Sequence, residues 1–150
     1  MSNNALRFVA VLAIGTAVAC GDTVAPVTAD AIVGTWGRAN QVVTPGEWLY
    51  FTLARNNVTV TGSGNWAGEA APFGKVSVDG TIVSDSVHLT LTFTYDTLFH
   101  GLAPYHAVFD GRFASTLSLV GSITYDGQSK TSETFAKQCI GPTDGLVPCT

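Results

Sequence analysis

A run near the middle of the chain alternates strictly between apolar and polar side chains. The apolar positions are Val87, Leu89, Leu91, Phe93 and Tyr95, and the polar positions between them are His88, Thr90, Thr92 and Thr94. Successive side chains of a β-strand point to opposite faces, so this period of two predicts a strand with one buried face. Outside an apolar stretch near the first residues, no segment carries a helical stripe of apolar positions. We therefore expect an all-β fold.

The same alternation recurs along most of the chain from residue 32 onward. The further apolar sets are Leu49, Phe51 and Leu53; Val58 and Val60; Val76, Val78, Gly80 and Ile82; Tyr105, Ala107, Phe109 and Phe113; and Leu117, Leu119, Ile123 and Tyr125. A first strand over 32–38 and a last one over 131–137 bring the predicted total to about eight strands.

Most of these runs are joined by short polar connections, which are typical of hairpins between neighbouring antiparallel strands. Asp126-Gly127 is the strongest turn signal of this kind. Only two connections are long, over 62–74 and 96–104. Closing the sheet into an up-and-down barrel leaves no open strand edges, so an antiparallel barrel is the predicted architecture. The alternative is a two-sheet β-sandwich, which needs long crossing connections.

The first residues have the layout of an export signal. Arg7 precedes an apolar run over 8–19, and small residues come directly before Cys20. The run is too short to cross a bilayer, which takes roughly 20 apolar residues. We expect residues 1–19 to be a signal peptide.

The last four residues of this stretch resemble the lipobox of bacterial lipoproteins. In that family a small residue precedes a cysteine that is acylated and becomes the mature N-terminus, so Ala17-Val18-Ala19-Cys20 implies lipidation of Cys20 and membrane anchoring. The family usually has leucine where this chain has Ala17, and the stretch also fits an ordinary signal peptidase site. The family pattern favours the outer membrane of the cell envelope, because Gly21 rather than aspartate follows the cysteine. The alternative is a secreted or periplasmic protein.

The spacing of the cysteines supports the prediction that Cys20 is lipidated. Cys139 and Cys149 lie close together in the sequence with glycines and Pro142 between them, so we expect them to form a disulfide in an oxidising compartment. Cys20 is then left over, as lipidation requires. We divide the chain into the signal, a lipidated N-terminus with a tether over 20–31, and a β-barrel domain over 32–150 that carries the disulfide loop.

Charge excludes one class of partner. The whole chain has a net charge of −4, with 7 Lys and Arg against 11 Asp and Glu, and removal of Arg7 with the signal leaves 6 against 11. Without a basic patch, a nucleic-acid partner is not expected.

Gly34-Thr35-Trp36 resembles the G-x-W signature of lipocalin-like (calycin) barrels. The resemblance implies a barrel in which Trp36 plugs one end and a basic residue of the last strand packs across the ring. Lys137 is the candidate for that partner. An eight-stranded barrel either fills with side chains or leaves room for one small ligand, and by analogy with that family we expect a small apolar ligand or a lipid within the barrel.

No residue pattern indicates catalysis. The three histidines lack a metal-binding spacing, no serine lies in a nucleophile elbow, and the aspartates beside glycines are explained by turns. We therefore expect a protein that is not an enzyme and has no cofactor, no metal and no catalytic residues.

The two long connections carry large apolar side chains where loops are usually polar. The candidate ligand or partner contacts are Trp66, Phe73, Leu98, Phe99 and Tyr105. Exposed apolar loops often serve recognition, and the alternative is that they fold inward over the barrel mouth. The expected function is a binding module for a small apolar ligand or lipid. The alternative is an envelope lipoprotein that uses these loops to bind another protein, for example as a protease inhibitor.

Overall fold

A computed structural model describes residues 27–39, 48–68, 73–99, 102–128, 130–141 and 145–150. The predicted signal peptide, Cys20 and His100 lie outside these ranges. The described strands are β1 (Gly34–Arg38), β2 (Trp48–Asn56), β3 (Thr59–Ala67), β4 (Phe73–Val83), β5 (Ser86–Tyr95), β6 (Tyr105–Ser115), β7 (Ser118–Tyr125), β8 (Thr131–Ile140) and β9 (Leu146–Pro148). Single 3₁₀ turns are formed by Ala29–Ile32, before β1, and by Thr97–Phe99, between β5 and β6.

The sheet closes on itself as an up-and-down barrel. Each strand from β1 to β8 pairs antiparallel with the next one in sequence, and β1 also pairs with β8, with Trp36 opposite Lys137. This closure confirms the predicted barrel of eight strands and excludes the two-sheet sandwich. The barrel is consistent with a calycin-like fold.

The ninth strand lies outside the barrel. β9 pairs antiparallel with the end of β8, where Cys139 stands opposite Val147. A disulfide joins Cys139 to Cys149 with 5.1 Å between their Cα atoms, as cysteine spacing predicted. The covalent bond therefore holds this short strand against the barrel wall.

Apolar side chains fill the middle of the barrel. Every second residue of the eight barrel strands points inward, and no polar or charged side chain is fully buried within the described ranges. Phe135 packs edge-on against both Phe51 and Phe109, with ring centroids 5.2 and 5.1 Å apart. The interior at this level is a packed core rather than a channel.

One end of the barrel is closed by the residues before β1. Trp36 is fully buried there, and its indole Nε1 donates a hydrogen bond of 2.7 Å to the carbonyl of Ile32. Lys137 donates from Nζ to the carbonyl of Ala31 at 3.0 Å and places that nitrogen 5.6 Å from the centre of a Trp36 ring. Val27 packs against the core as well, so the described part of the segment predicted as a tether lies on the barrel.

The prediction of a long connection over 62–74 is wrong. β3 continues to Ala67 and β4 begins at Phe73, so most of that stretch is strand. Its glycines suggest a loop, but Gly64 faces the barrel interior at a point where the neighbouring strand β2 passes very close. A Cβ at Gly64 would lie 1.9 Å from the carbonyl oxygen of Tyr50. The glycine therefore permits close strand packing instead of a turn. The other long connection, over 96–104, is present.

Candidate functional site

The end of the barrel opposite Trp36 opens into a cavity. β1, β3, β5 and β7 end here and β2, β4, β6 and β8 begin here. The cavity has a volume of about 420 Å³ and is lined by Arg38, Trp48, Leu49, Trp66, Ala67, Gly68, Phe93, Tyr95, Tyr105, Tyr125, Asp126 and Gln128. We call this cavity the mouth. Its volume lies within the range of small-molecule sites, roughly 300 to 1,000 Å³.

An arginine with two partners lies in the mouth. Arg38 is the last residue of β1, and its Nε lies 2.9 Å from a carboxylate oxygen of Glu133 on β8. That N–H is not directed at the oxygen, so the contact is an ion pair without a hydrogen bond. Arg38 Nη2 donates a hydrogen bond to the hydroxyl of Tyr125. The Arg38 side chain is 31% exposed and that of Glu133 is 14% exposed, so the carboxylate is the more deeply placed of the two.

Aromatic rings form the wall of the mouth on the side of β3 to β6. The ring of Trp66 meets Phe93, Tyr95 and Tyr105 nearly at right angles, with centroids 5.8, 5.2 and 5.6 Å away. Phe93 and Tyr105 stack in parallel at 4.5 Å. Edge-to-face and offset arrangements of this kind are the favoured geometries of aromatic pairs. The wall is therefore held by its own ring contacts.

Hydrogen bonds fix the Trp66 side chain further. Its Nε1 lies 3.2 Å from the carbonyl oxygens of both Lys75 and Thr94. Only 5% of Trp66 is exposed, so the indole forms part of the floor and wall instead of projecting from a loop.

Burial raises the pKa of the Tyr105 hydroxyl well above its ordinary value, and the neighbouring Tyr125 and Tyr95 raise it further. Arg38 acts in the opposite direction with a smaller effect. The hydroxyl therefore stays protonated at neutral pH and can both donate and accept a hydrogen bond.

The structure brings together only some of the residues predicted as contacts. Trp66 and Tyr105 both line the mouth. Phe73 is the first residue of β4 and is 38% exposed, and Leu98 lies in the second 3₁₀ turn with 75% of its surface exposed. Neither Phe73 nor Leu98 is among the lining residues given above. Phe99 ends the same 3₁₀ turn, and its side chain is outside the described part of the structure.

Sequence reasoning missed Arg38, Glu133 and Trp48 as site residues. The signal that could have found Arg38 is the period of two, because Gly34, Trp36 and Arg38 share one face of β1. Extending each inward face to the end of its strand places a side chain at the mouth. Without that extension, a charged residue at the end of a strand is indistinguishable in sequence from one that is simply exposed to solvent.

Two histidines lie on the outer wall of the barrel. His88 Nδ1 is 2.6 Å from a carboxylate oxygen of Asp110, and His106 shares a hydrogen bond of 3.1 Å with the hydroxyl of Thr92. Within the described ranges, no group of three or more His, Cys, Asp or Glu side chains is placed to hold a metal ion. A search of the same ranges finds no helix with the length and apolar character needed to cross a membrane.

Compared with known proteins, the chain matches no family model, no curated protein and no solved structure. The barrel topology alone is consistent with a calycin-like fold, and the lipoprotein assignment stays a prediction from the sequence.

Proposed function

We propose that this chain is a non-catalytic binding module of the bacterial envelope that holds a small, largely apolar ligand in the mouth. The observation that carries the proposal is a cavity of about 420 Å³, walled by aromatic rings, at one end of an otherwise filled barrel. Aromatic and apolar walls with a few placed polar groups are typical of small-molecule sites.

The filled middle of the barrel limits the ligand's position and size. Phe51, Phe109 and Phe135 are fully buried below the mouth, so a ligand does not extend into the lumen. The ligand expected within the barrel is therefore proposed to sit in the mouth. A long acyl chain would have to lie mostly outside it.

We also propose that the protein is exported and anchored through acylated Cys20, with the outer membrane favoured over secretion. The disulfide between Cys139 and Cys149 supports this proposal, because it occupies the other two cysteines of the chain and forms in oxidising compartments. Two or three acyl chains on one residue suffice for stable anchoring, at about 0.8 kcal/mol per buried CH₂.

The ligand proposal is tested by native mass spectrometry of the protein isolated from its own host. We expect a small non-covalent adduct that is lost in a Trp48→Ala variant, because Trp48 lines the mouth. Tyr50→Ala is the matched control: Tyr50 stacks on Trp48 at 5.2 Å but does not line the mouth. Adduct-free native protein, or an adduct that both variants retain, would contradict the proposal.

Anchoring is tested separately by the intact mass of the mature protein. Acylation predicts the mass of a chain beginning at Cys20 plus two or three acyl chains, and membrane association that is lost in Cys20→Ser. A mature chain with a free N-terminal thiol would instead make it a secreted or periplasmic protein.

Exposed apolar side chains between β5 and β6 favour a second candidate function, the binding of another envelope protein. Leu98 and Leu102 are 75% and 53% exposed. We expect Leu98→Ser with Leu102→Ser to abolish cross-linking to such a partner in intact cells, while Trp48→Ala preserves it. Unchanged cross-linking in the loop variant would rule out this use of the loop.

A further inference from the structure

We infer that the mouth selects a flat ring compound whose end beside Arg38 is uncharged and carries a hydrogen-bond acceptor beside a donor. This inference rests on the proposed binding function and adds the chemical class of the ligand. It follows from the donors at Arg38, the charges around it, and the shape of the aromatic wall.

The arginine supplies donors to one end of a ligand. A guanidinium has five N–H groups in a planar fork. The contacts of Arg38 to Glu133 and Tyr125 use Nε and Nη2, and Arg38 itself lines the mouth. No contact within the described ranges involves its Nη1, which can meet an acceptor oxygen or nitrogen on the ligand. Tyr105 also lines the mouth and its hydroxyl can donate or accept, so a ligand donor next to that acceptor also finds a partner.

The surrounding charges favour an uncharged ligand. The carboxylate of Glu133 already balances the positive charge of Arg38 at 2.9 Å. Asp126 adds a second carboxylate at the lining of the mouth, where its Oδ2 accepts the backbone N–H of His106 at 3.0 Å. An anionic ligand would gain little from the balanced arginine and would face Asp126. Arg38, Glu133 and Asp126 together carry one net negative charge, so what disfavours a cationic end is the donor at Arg38, to which an ammonium group has no acceptor to offer.

The wall selects a ring over a flexible chain. Trp66, Phe93 and Tyr105 form a rigid set of ring faces and edges, and the packed core below leaves no channel for a chain. A flat ring gains stacking or edge contacts with such a wall and loses few rotatable bonds on binding. A flexible chain of the same polarity loses more conformational entropy.

Four probe compounds separate these requirements in titrations of the mature protein followed by NMR. Benzamide has the ring and the uncharged donor and acceptor end. Benzoate has the same ring with an anionic end, toluene lacks the polar end, and hexanamide has the polar end on a flexible chain. We expect benzamide to shift the signals of mouth residues and to bind at least about tenfold more tightly than each of the others.

A paired variant tests the role of Arg38. Replacing Arg38→Met together with Glu133→Gln removes the ion pair without leaving an isolated carboxylate. We expect the preference for benzamide over toluene to fall by about tenfold, to near equality. Arg112→Met is the control, because Arg112 is exposed on the outer wall and should leave the preference unchanged. Thermal unfolding of each variant establishes that it is folded.

The outcomes separate this inference from the proposed function. Tighter binding of hexanamide or benzoate in the mouth would overturn the ligand class while leaving a binding module. Retention of the benzamide preference in the paired variant would overturn the role of Arg38. Absence of mouth shifts with every probe, together with adduct-free native protein, would overturn both the inference and the binding function.

Discussion

At the scale of single residues, the closed end depends on one lysine. Lys137 donates a hydrogen bond to Ala31 and lies over the ring of Trp36, which ties the last barrel strand to the segment before the first. We expect Lys137→Met to lower the free energy of unfolding by about 1 to 2 kcal/mol, because it removes both contacts but keeps the apolar stem. Urea denaturation measures this loss.

The control for Lys137 is a lysine on the outer wall. Lys75 donates to Asn65 at 2.7 Å in an exposed position, so Lys75→Met should cost less than about 0.5 kcal/mol. Equal losses in the two variants would show that Lys137 makes no special contribution at the closed end.

Tyr105 makes the free energy of unfolding depend on pH in the alkaline range. Its raised pKa means that the folded state keeps a proton which the unfolded chain releases near the ordinary tyrosine pKa of about 10. The corresponding stability is fully present below that pH and is lost as the pH rises toward the folded pKa. We expect urea denaturation at about pH 9 and pH 11 to show a smaller loss for Tyr105→Phe than for the natural chain. Equal losses in Tyr105→Phe and in the natural chain would refute this assignment.

At the scale of an element, β3 depends on Gly64. The Cβ of an alanine there would lie 1.9 Å from the Tyr50 carbonyl, so either β2 or β3 must shift. We expect Gly64→Ala to lower the free energy of unfolding by about 3 kcal/mol or more. Ser63→Ala, on the exposed face of the same strand, should change it by less than about 0.5 kcal/mol. Equal unfolding midpoints would argue that the strands separate freely at this point.

At the scale of the whole molecule, the path of the chain sets the orientation of the mouth. Val27 borders a hollow with Ser84 and Asp85 at the closed end, so the chain reaches the barrel at the end opposite the mouth. The stretch from Cys20 to Val27 spans about 25 Å at most. A protein anchored through Cys20 is therefore expected to face the bilayer with its closed end and to turn the mouth away.

Fluorescent labels at the two ends check this orientation. Val83 is 65% exposed at the closed end, and Leu98 is 75% exposed beside the mouth. In vesicles that contain a lipid quencher, we expect a label at Val83→Cys to be quenched more strongly than one at Leu98→Cys. The same labels on a Cys20→Ser background should be unquenched. Equal or reversed quenching in the anchored protein would refute the orientation.

Much of the fold could be predicted because burial on one face imposes a local period of two. The run from Val87 to Tyr95 reads correctly as a strand for that reason. The strand prediction is wrong for most of β3, because its glycines are equally typical of a turn and of a strand that passes close to its neighbour. The local sequence therefore places Trp66 in a loop, whereas in the structure it is an inward-facing residue of β3.

The site could be predicted only in part, because its polar groups come from distant strands. Arg38 and Glu133 meet when β1 pairs with β8 and closes the barrel. Neither residue stands in a motif, and each has the local sequence of a solvated strand end. Aromatic positions such as Tyr105 are easier to predict, because loops are usually polar and a large apolar side chain beside a long connection is unusual.

Local alternation and spacing are enough to predict the β class, the number of barrel strands and the pairing of Cys139 with Cys149. They do not show which end is closed, which end forms the mouth, or that Arg38 lies there with Glu133. Alternation specifies a face for each side chain, whereas the neighbours across that face depend on strand register and barrel closure. Those are properties of the whole ring of strands.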